Sequence, residues 1–440
     1  GLTPASVLSL PFDRIDVEGS TLVIPLPKGL TRARASVAGW LRRADNGTFQ
    51  FDLTITLGAR PLHASGSIGP TTGDIDATIA GDGLDAATAA AIASAFTPDA
   101  AISADGTFAL AGTLHAAPAG GNISLKLTPA SLAFTITSTK SSAPPAQATN
   151  VDSIGGVFKA EAAFAPGQPL RGRLTMKDVA LNATSLHFAA EGVAGEIAFD
   201  DLLHLTTADH QSLGIGKISI GEAEFTKASA TFVLRRGGGA GVGGAGSEGG
   251  ARGLDLQTFR CNWLGGVLWT SDVHLDLTRP VMQGTAHISG VDLHQLLELV
   301  TADKATGEGS ASGELPIAID WPGVKFGAAQ LKAAPGGTIK IKDLTTMSAA
   351  LDQMGKSQQA ELKQRILEAL GDFKYDTLQA NLVQDEMGLG ANVHIAGRGR
   401  SGARQALDTE LRFHGLDDVL KLYLGFERHQ ASANKPPAPH

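Results

Sequence analysis

Asp209, His210 and Ser212 place the three side-chain types of a hydrolytic triad in one short stretch. Triads are assembled in space from separated positions, and hydrolases of this kind hold the serine on a strained G-x-S-x-G turn. No such turn surrounds Ser212, so the cluster does not point to an active site. The twelve histidines are scattered along the chain. No pair has the HxH or HxxxH spacing that brings two imidazoles to one metal ion. His115, His187, His274 and His394 read instead as half-exposed strand residues beside hydroxyl and charged neighbours. Cys261 is the only cysteine, too few for an internal disulfide or a thiolate metal site. Gly237–Gly250 is nearly pure Gly and Ala and lacks the GKS or GKT ending of a phosphate loop. Gly214-Ile215-Gly216 lacks the third glycine of a dinucleotide turn. Asp74, Asp76, Asp200 and Asp201 read as solvated strand faces and turns. No catalytic residue, metal ligand or cofactor site emerges, and the reading is of a non-enzyme without cofactor.

The chemistry therefore has to lie in the elements themselves. Of 440 residues, 54 are Gly, aromatics make up 5% and charged residues 18%. That composition is too apolar for disorder and too poor in aromatics for a thick core. Many short strands in a thin-walled sheet suit it. The net charge of −8 comes with mixed signs and no basic stripe, which excludes nucleic acid as a partner.

Period-two alternation dominates the chain, the mark of strands with one apolar face. From Thr48 to Leu57 it is nearly unbroken, with Phe49, Phe51, Leu53, Ile55 and Leu57 on one side. It returns at Phe108/Leu110/Leu114, Ile123/Leu125/Leu127 and Leu132/Phe134/Ile136. Later runs are Val273/Leu275/Leu277, Leu315/Ile317/Ile319, Leu389/Ala391/Val393/Ile395 and Leu411/Phe413. Turn-formers punctuate them at Asp45-Asn46-Gly47, Asp105-Gly106, Pro118–Gly121 and Pro335-Gly336-Gly337. This predicts an all-β, antiparallel fold of about two dozen strands with a few short helices.

Three helices share an entry, in which a strand runs into Gly-Leu-Asp or a variant of it. Asp85 leads into Ala86–Phe96, Asp292 into His294–Val300, and Asp417 into Asp418–Leu424. The Asp can cap the orphan amides of each first turn. We read this strand–GLD–helix–strand unit as a degenerate internal repeat. A further helix is expected over Met347–Leu370. Ser138–Asn150 and Gly237–Gly250 read as loose segments and Ala431–His440 as a disordered tail. No apolar run reaches the ~20 residues of a membrane-spanning helix. The chain opens at Gly1 without an initiator Met and reads as a fragment whose membrane anchor lies upstream.

A sheet with so consistent an apolar face must bury it against something. A second sheet would make a sandwich, a closed winding a solenoid, and a long curled sheet an open hydrophobic groove. Periodicity does not choose among them.

The stretch Gly307–Ile317, with Gly323-Val324-Lys325-Phe326 and Ala334–Ile339, resembles the C-terminal "dicarboxylate transport" domain of YdbH-like proteins in the AsmA-like superfamily. Ala369–Leu378 and His394–Gly399 continue the resemblance, and Leu10–Ile15 is similar to the family's recurring strand entry. Ser401-Gly402 departs from it at one loop. The C-terminal third carries the specific likeness, and the N-terminal two thirds match in style.

The resemblance implies an elongated, curled β-sheet around an open hydrophobic groove, anchored in the inner membrane and crossing the periplasm of a Gram-negative bacterium. It implies phospholipid transport toward the outer membrane, with a small outer-membrane lipoprotein meeting the C-terminal end; the alternative is a structural or adhesive envelope protein. Phospholipid acyl chains would then meet Phe49, Phe51, Leu53, Ile55, Leu57, Phe108, Leu110, Leu275, Leu315, Ile317, Ile319, Leu389, Val393 and Ile395. The last sheet edge, through Leu407, Leu411 and Phe413, is expected to take the partner by strand addition. On this reading 1–236 is the N-terminal part of the groove, 237–250 a flexible loop, and 251–430 the C-terminal domain.

Overall fold

The computed structural model describes residues 12–24, 33–56, 58–96, 100–138, 148–202, 204–236, 252–276, 281–301, 305–320, 323–342, 371–385, 388–399 and 406–413. Among them are twenty-four strands, two α-helices and one short 3-10 turn. The expected helices at Met347–Leu370 and Asp418–Leu424, the Gly237–Gly250 segment and the Ala431–His440 tail lie outside the described residues. Among the described residues no helix is long and apolar enough to cross a membrane. The chain forms two compact units, residues 1–218 with 233–238 and residues 219–232 with 239–440.

In the first unit β1 (Arg14–Ile24), β2 (Ala33–Arg43), β3 (Phe49–Thr56), β4 (Pro61–Ile68) and β5 (Ile75–Asp85) form an antiparallel meander. Helix α1 (Ala86–Phe96) follows. Then β6 (Ala100–Ala117), β7 (Gly120–Ser138), β8 (Ala148–Phe164), β9 (Arg171–Ala183) and β10 (Phe188–Asp201) extend the same sheet strand by strand. β11 (Thr206–Thr207) pairs with β10. β12 (Gln211–Ile220) and β13 (Ala223–Arg236) contribute residues to both units. Among the described residues β1 pairs with β2 alone, so the sheet is open there and not closed as a barrel.

The second unit continues with β14 (Arg252–Trp263), β15 (Gly266–Asp276) and β16 (Val281–Asp292), then helix α2 (Leu293–Thr301). After it come β17 (Ala305–Glu308), β18 (Ser310–Asp320), β19 (Gly323–Phe326), β20 (Ala329–Ala333) and β21 (Thr338–Ile341). β22 (Phe373–Asp385), β23 (Gly388–Gly399) and β24 (Ala406–Phe413) complete it. The ladder runs β14–β15–β16–β18–β20–β22–β23–β24, every pair antiparallel. β19 pairs beside β18, and β17 pairs with β21, which joins β22.

Two of the three expected helix entries lie among the described residues, and the structure adds their mechanism. Gly83 and Gly290 take left-handed φ values of 62° and 65°, each at a register shift just before the helix. Only a residue without a Cβ adopts that conformation cheaply. The Asp two positions on then caps the first turn. Asp85 accepts from the Ala87 and Thr88 amides at 3.2 and 3.3 Å and from the Thr88 hydroxyl at 2.9 Å. Asp292 accepts from the His294 and Gln295 amides at 2.7 and 3.3 Å.

Three local expectations are corrected. Asp105-Gly106 does not end a strand. β6 begins at Ala100 and runs through it, with Gly106 at φ 102° and a bulge at Thr107/Phe108 absorbing the irregularity. Ala148–Asn150 of the expected loose segment is the start of β8, where Asn150 accepts from the Thr135 hydroxyl at 2.9 Å. His187 is not a strand residue, but closes the 3-10 turn Thr184–Leu186 at φ 49°.

Candidate functional site

Register carries the apolar face from strand to strand without interruption. Val17, Gly39, Leu53, Ala64 and Ile79 are successive partners on β1–β5. Gly112, Leu125, Ala160, Leu174 and Ile197 continue the same row on β6–β10. The next row runs Val37, Ile55, Leu62 on β2–β4 and Leu110, Leu127, Phe158, Met176 on β6–β9. No polar residue interrupts either row. At the usual spacing between strands the first row is roughly 40 Å long.

Large and small residues alternate along most of the first row, and at its glycines the packing is tight. A Cβ on Gly112 would lie 2.6 Å from Leu125 Cδ2 and 2.3 Å from the Ser124 carbonyl oxygen. In the second unit a Cβ on Gly313 would lie 2.8 Å from Leu331 Cδ2. At these two positions the leucine of one strand lies over the glycine of its neighbour.

The second unit repeats the pattern. Ile288, Gly313, Leu331, Ala380 and Val393 are successive partners on β16, β18, β20, β22 and β23. Beside them Leu315, Ile317 and Val393 pack against Ala329, Leu382 and Ala391. A bulge between Tyr375 and Thr377 shifts the phase of β22 by one residue, which keeps Phe373 and Tyr375 on the side of Leu378.

These faces are only half covered. Leu53, Ile55, Ile79, Leu110, Leu125, Leu127 and Leu174 are neither buried nor fully exposed, and the same holds for Leu275, Leu315, Ile317, Leu331 and Val393. A second sheet packed on this face would interdigitate with it and bury such residues. The apolar clusters instead join hydrogen-bonded neighbours, as where Val179, Ala190 and Val193 gather Ile154, Phe158 and Met176. The helices supply local cover. Leu293 and Leu297 of α2 pack with Ile339, Phe373, Tyr375 and Ile395. Leu296 packs with Ile288, Val291 and Ala311. In α1, Ala86 and Ala90 are buried, and the Ser94 hydroxyl both donates to the Ile102 carbonyl and accepts its amide at 2.9 Å.

The anticipated residues divide accordingly. Phe51, Leu53, Ile55 and Leu110 share one face of the first unit, and Leu315, Ile317 and Val393 one cluster of the second. Phe49, 2% exposed, carries the Arg43 guanidinium 5.0 Å above its ring, and Phe108 is also buried. Leu275 is the register partner of Met282, and Ile395 lies beneath α2. Leu57 lies outside the described residues, as do the side chains of Ile319, Leu389, Leu407, Leu411 and Phe413.

The opposite face is polar and carries the charges. His115 meets Asp76 at 2.7 Å, His274 meets Asp255 at 2.6 Å and His394 meets Asp408 at 2.7 Å. Arg173 pairs with Glu196 at 3.1 Å and Lys159 with Glu161 at 2.6 Å. The Lys159 ammonium holds the Glu161 carboxyl below the usual carboxylate range. Exposed pairs of this kind are screened by water and salt and add little to stability. Asp209 accepts from Arg235 Nη2 at 3.2 Å at the surface. Cys261 is fully buried, and burial pushes its thiol up to about 12, far from the range of a nucleophile.

A family model described as YdbH-like, "Intermembrane phospholipid transport protein YdbH", matches residues 2–405. The match takes in the N-terminal two thirds as well as the C-terminal stretch where the sequence likeness is most specific. No curated protein and no solved structure matches the chain.

Proposed function

The chain belongs to the YdbH-like family, and from that membership we propose that it conducts phospholipids between inner and outer membranes, as a bridge whose apolar rows carry the acyl chains. One observation carries the reading: an apolar row crosses ten consecutive strands of the first unit, and Leu53, Ile79, Leu125 and Leu174 within it stay half exposed. Each acyl methylene moved from water onto such a surface gains up to about 0.8 kcal/mol. For a chain of a dozen or more methylenes this offsets at most on the order of 10 kcal/mol of the cost of exposure to water once the lipid has left a bilayer.

The finer assignments rest on the same reading. The acyl path runs past Phe51, Leu53, Ile55, Leu110, Leu315, Ile317 and Val393. The protein acts in the periplasm, held to the inner membrane, and performs no catalysis. Its C-terminal edge meets an outer-membrane lipoprotein through Leu407, Leu411 and Phe413 on β24, whose other side pairs with β23. The glycine-rich 237–250 stretch divides the N-terminal groove from the C-terminal domain.

Native mass spectrometry of protein extracted gently from membranes tests the core of this. Phospholipid should travel with the protein, and a photo-crosslinker placed at Leu125 should label its acyl chains. Lipid-free protein with no crosslink would leave a structural envelope role as the better account.

A further inference from the structure

The polar face holds rows of its own, and their composition exceeds what solvation requires. In the first unit Trp40, Asp52, Ser65, Thr78 and Thr113 are successive register partners on β2–β6. They line a shallow depression of about 660 Å³. In the second unit Trp269, His287, Glu314, Gln330 and Asn381 are successive partners on β15, β16, β18, β20 and β22. The last three line a second depression of about 570 Å³. The chain has four tryptophans in all, and two of them lie in these two rows, with Asp16 and Arg260 as their partners on the preceding strands.

We infer that each row is a track for an extended, uncharged glycan chain. An indole on a wet sheet face exposes apolar area for no folding benefit, and such amphipathic rings concentrate where one side meets a ligand. Trp269 is 37% exposed and lies stacked on His287, with ring centroids 5.2 Å apart and planes 17° from parallel. A stacked pair of rings presents a fixed platform to the C–H face of a pyranose. Beyond it the row offers a carboxylate and two amides, and the Trp40 row a carboxylate and three hydroxyls, donors and acceptors of the kinds that sugar hydroxyls require. Gln330 Nε2 donates to Asn381 Oδ1 at 3.0 Å, fixing one amide against the next. The groups recur at the strand spacing of about 4.8 Å, close to the advance of one sugar in a β-1,4-linked chain.

Charge narrows the class further. Among the described lining residues the basic side chains are the His115 imidazole in the first depression, against Asp76, and Lys332 in the second. Glu314 faces His287 at 3.3 Å. A polyanion would meet carboxylates with no cluster of Arg or Lys to answer it. A neutral glycan meets no such penalty.

Titration of the intact protein with the β-1,4-linked hexamer of N-acetylglucosamine, followed by tryptophan fluorescence and calorimetry, tests the inference. Saturable binding is expected, weakened about tenfold by Trp269→Ala and further by adding Trp40→Ala, with co-purified phospholipid unchanged because the apolar face is untouched. Should a tryptophan variant fail to fold, Gln330→Ala at an exposed position reads the same track and should weaken binding severalfold. No saturable binding by the wild type at millimolar hexamer overturns the inference. So do folded variants that bind like the wild type, or stronger binding of a sulfated polysaccharide.

Discussion

The Tyr375 hydroxyl donates to the Glu308 carbonyl oxygen at 3.3 Å from a fully buried position, and two glycines make room for it. A Cβ on Gly309 would lie 2.3 Å from that hydroxyl, with the next atom, Tyr375 Cζ, at 3.6 Å. Gly309 also holds φ 132°. Gly309→Ala should therefore cost about 2–4 kcal/mol, the sum of backbone strain and overpacking. Tyr375→Phe alone should cost about 1 kcal/mol for the lost hydrogen bond. In a Tyr375→Phe background the alanine should cost at least about 1 kcal/mol less, since the blocking atom is gone. Urea unfolding of the four proteins measures this, and strictly additive costs would refute the steric account.

The cap of α1 makes its stability depend on pH. The Thr88 hydroxyl, and after it the Ala87 amide, hold the Asp85 carboxyl below its ordinary value. A depressed folded-state value means that the ionised form stabilises the fold. The contribution is present above the unfolded carboxylate range near pH 4 and is lost as pH falls through the lower folded value. Protection of the α1 amides, taken relative to the intrinsic exchange rate at each pH, should fall on acidification, and Asp85→Ala should show the lower protection already at neutral pH. Equal α1 protection in the two proteins at neutral pH would remove the cap from the account.

Cys261 gives the opposite sign. Burial raises its thiol from 9.0 to about 12, so the protonated form stabilises the fold. That contribution is whole below pH 9 and declines as pH rises toward 12. The native protein should resist a thiol reagent at pH 8 and react at once in urea, while Cys261→Ser should flatten the alkaline loss of stability. Rapid labelling of the folded protein would contradict its burial.

What could be read from the sequence was the phase of single strands, because Phe49, Phe51, Leu53 and Ile55 announce themselves by hydropathy. The rows could not be read, because they depend on register. Gly112 and Ala160 belong to the same row as Leu125, yet small residues are silent in an alternation pattern. The histidine pairs were hidden for a related reason, since His115 and Asp76 lie 39 residues apart and meet only once β5 and β6 align. Asp105-Gly106 misled because the glycine that signals a turn also suits a bulge inside a long strand. The Asp caps were legible because a cap is a local event of three or four residues.

The open face has one consequence that a filled core would not share. Leu125 sits midway along the ten-strand row and Ile317 beside Ala329 and Leu382, both half exposed. In a dry interior, Leu125→Asp or Ile317→Asp would bury an unpaired carboxylate at a cost of several kcal/mol and unfold its unit. On a face that water reaches when lipid is absent, the carboxylate stays hydrated and the fold survives. An acyl chain passing that point must then strip water from the charge, which offsets the gain of several methylenes at about 0.8 kcal/mol each. Both variants should therefore fold with native circular dichroism and native melting, while phospholipid recovered with them falls at least tenfold. Thr54→Asp, on the polar face of the same strand as Leu53, should change neither. Unfolded variants would mark the face as a closed core, and folded variants with normal lipid content would take the acyl path off these rows.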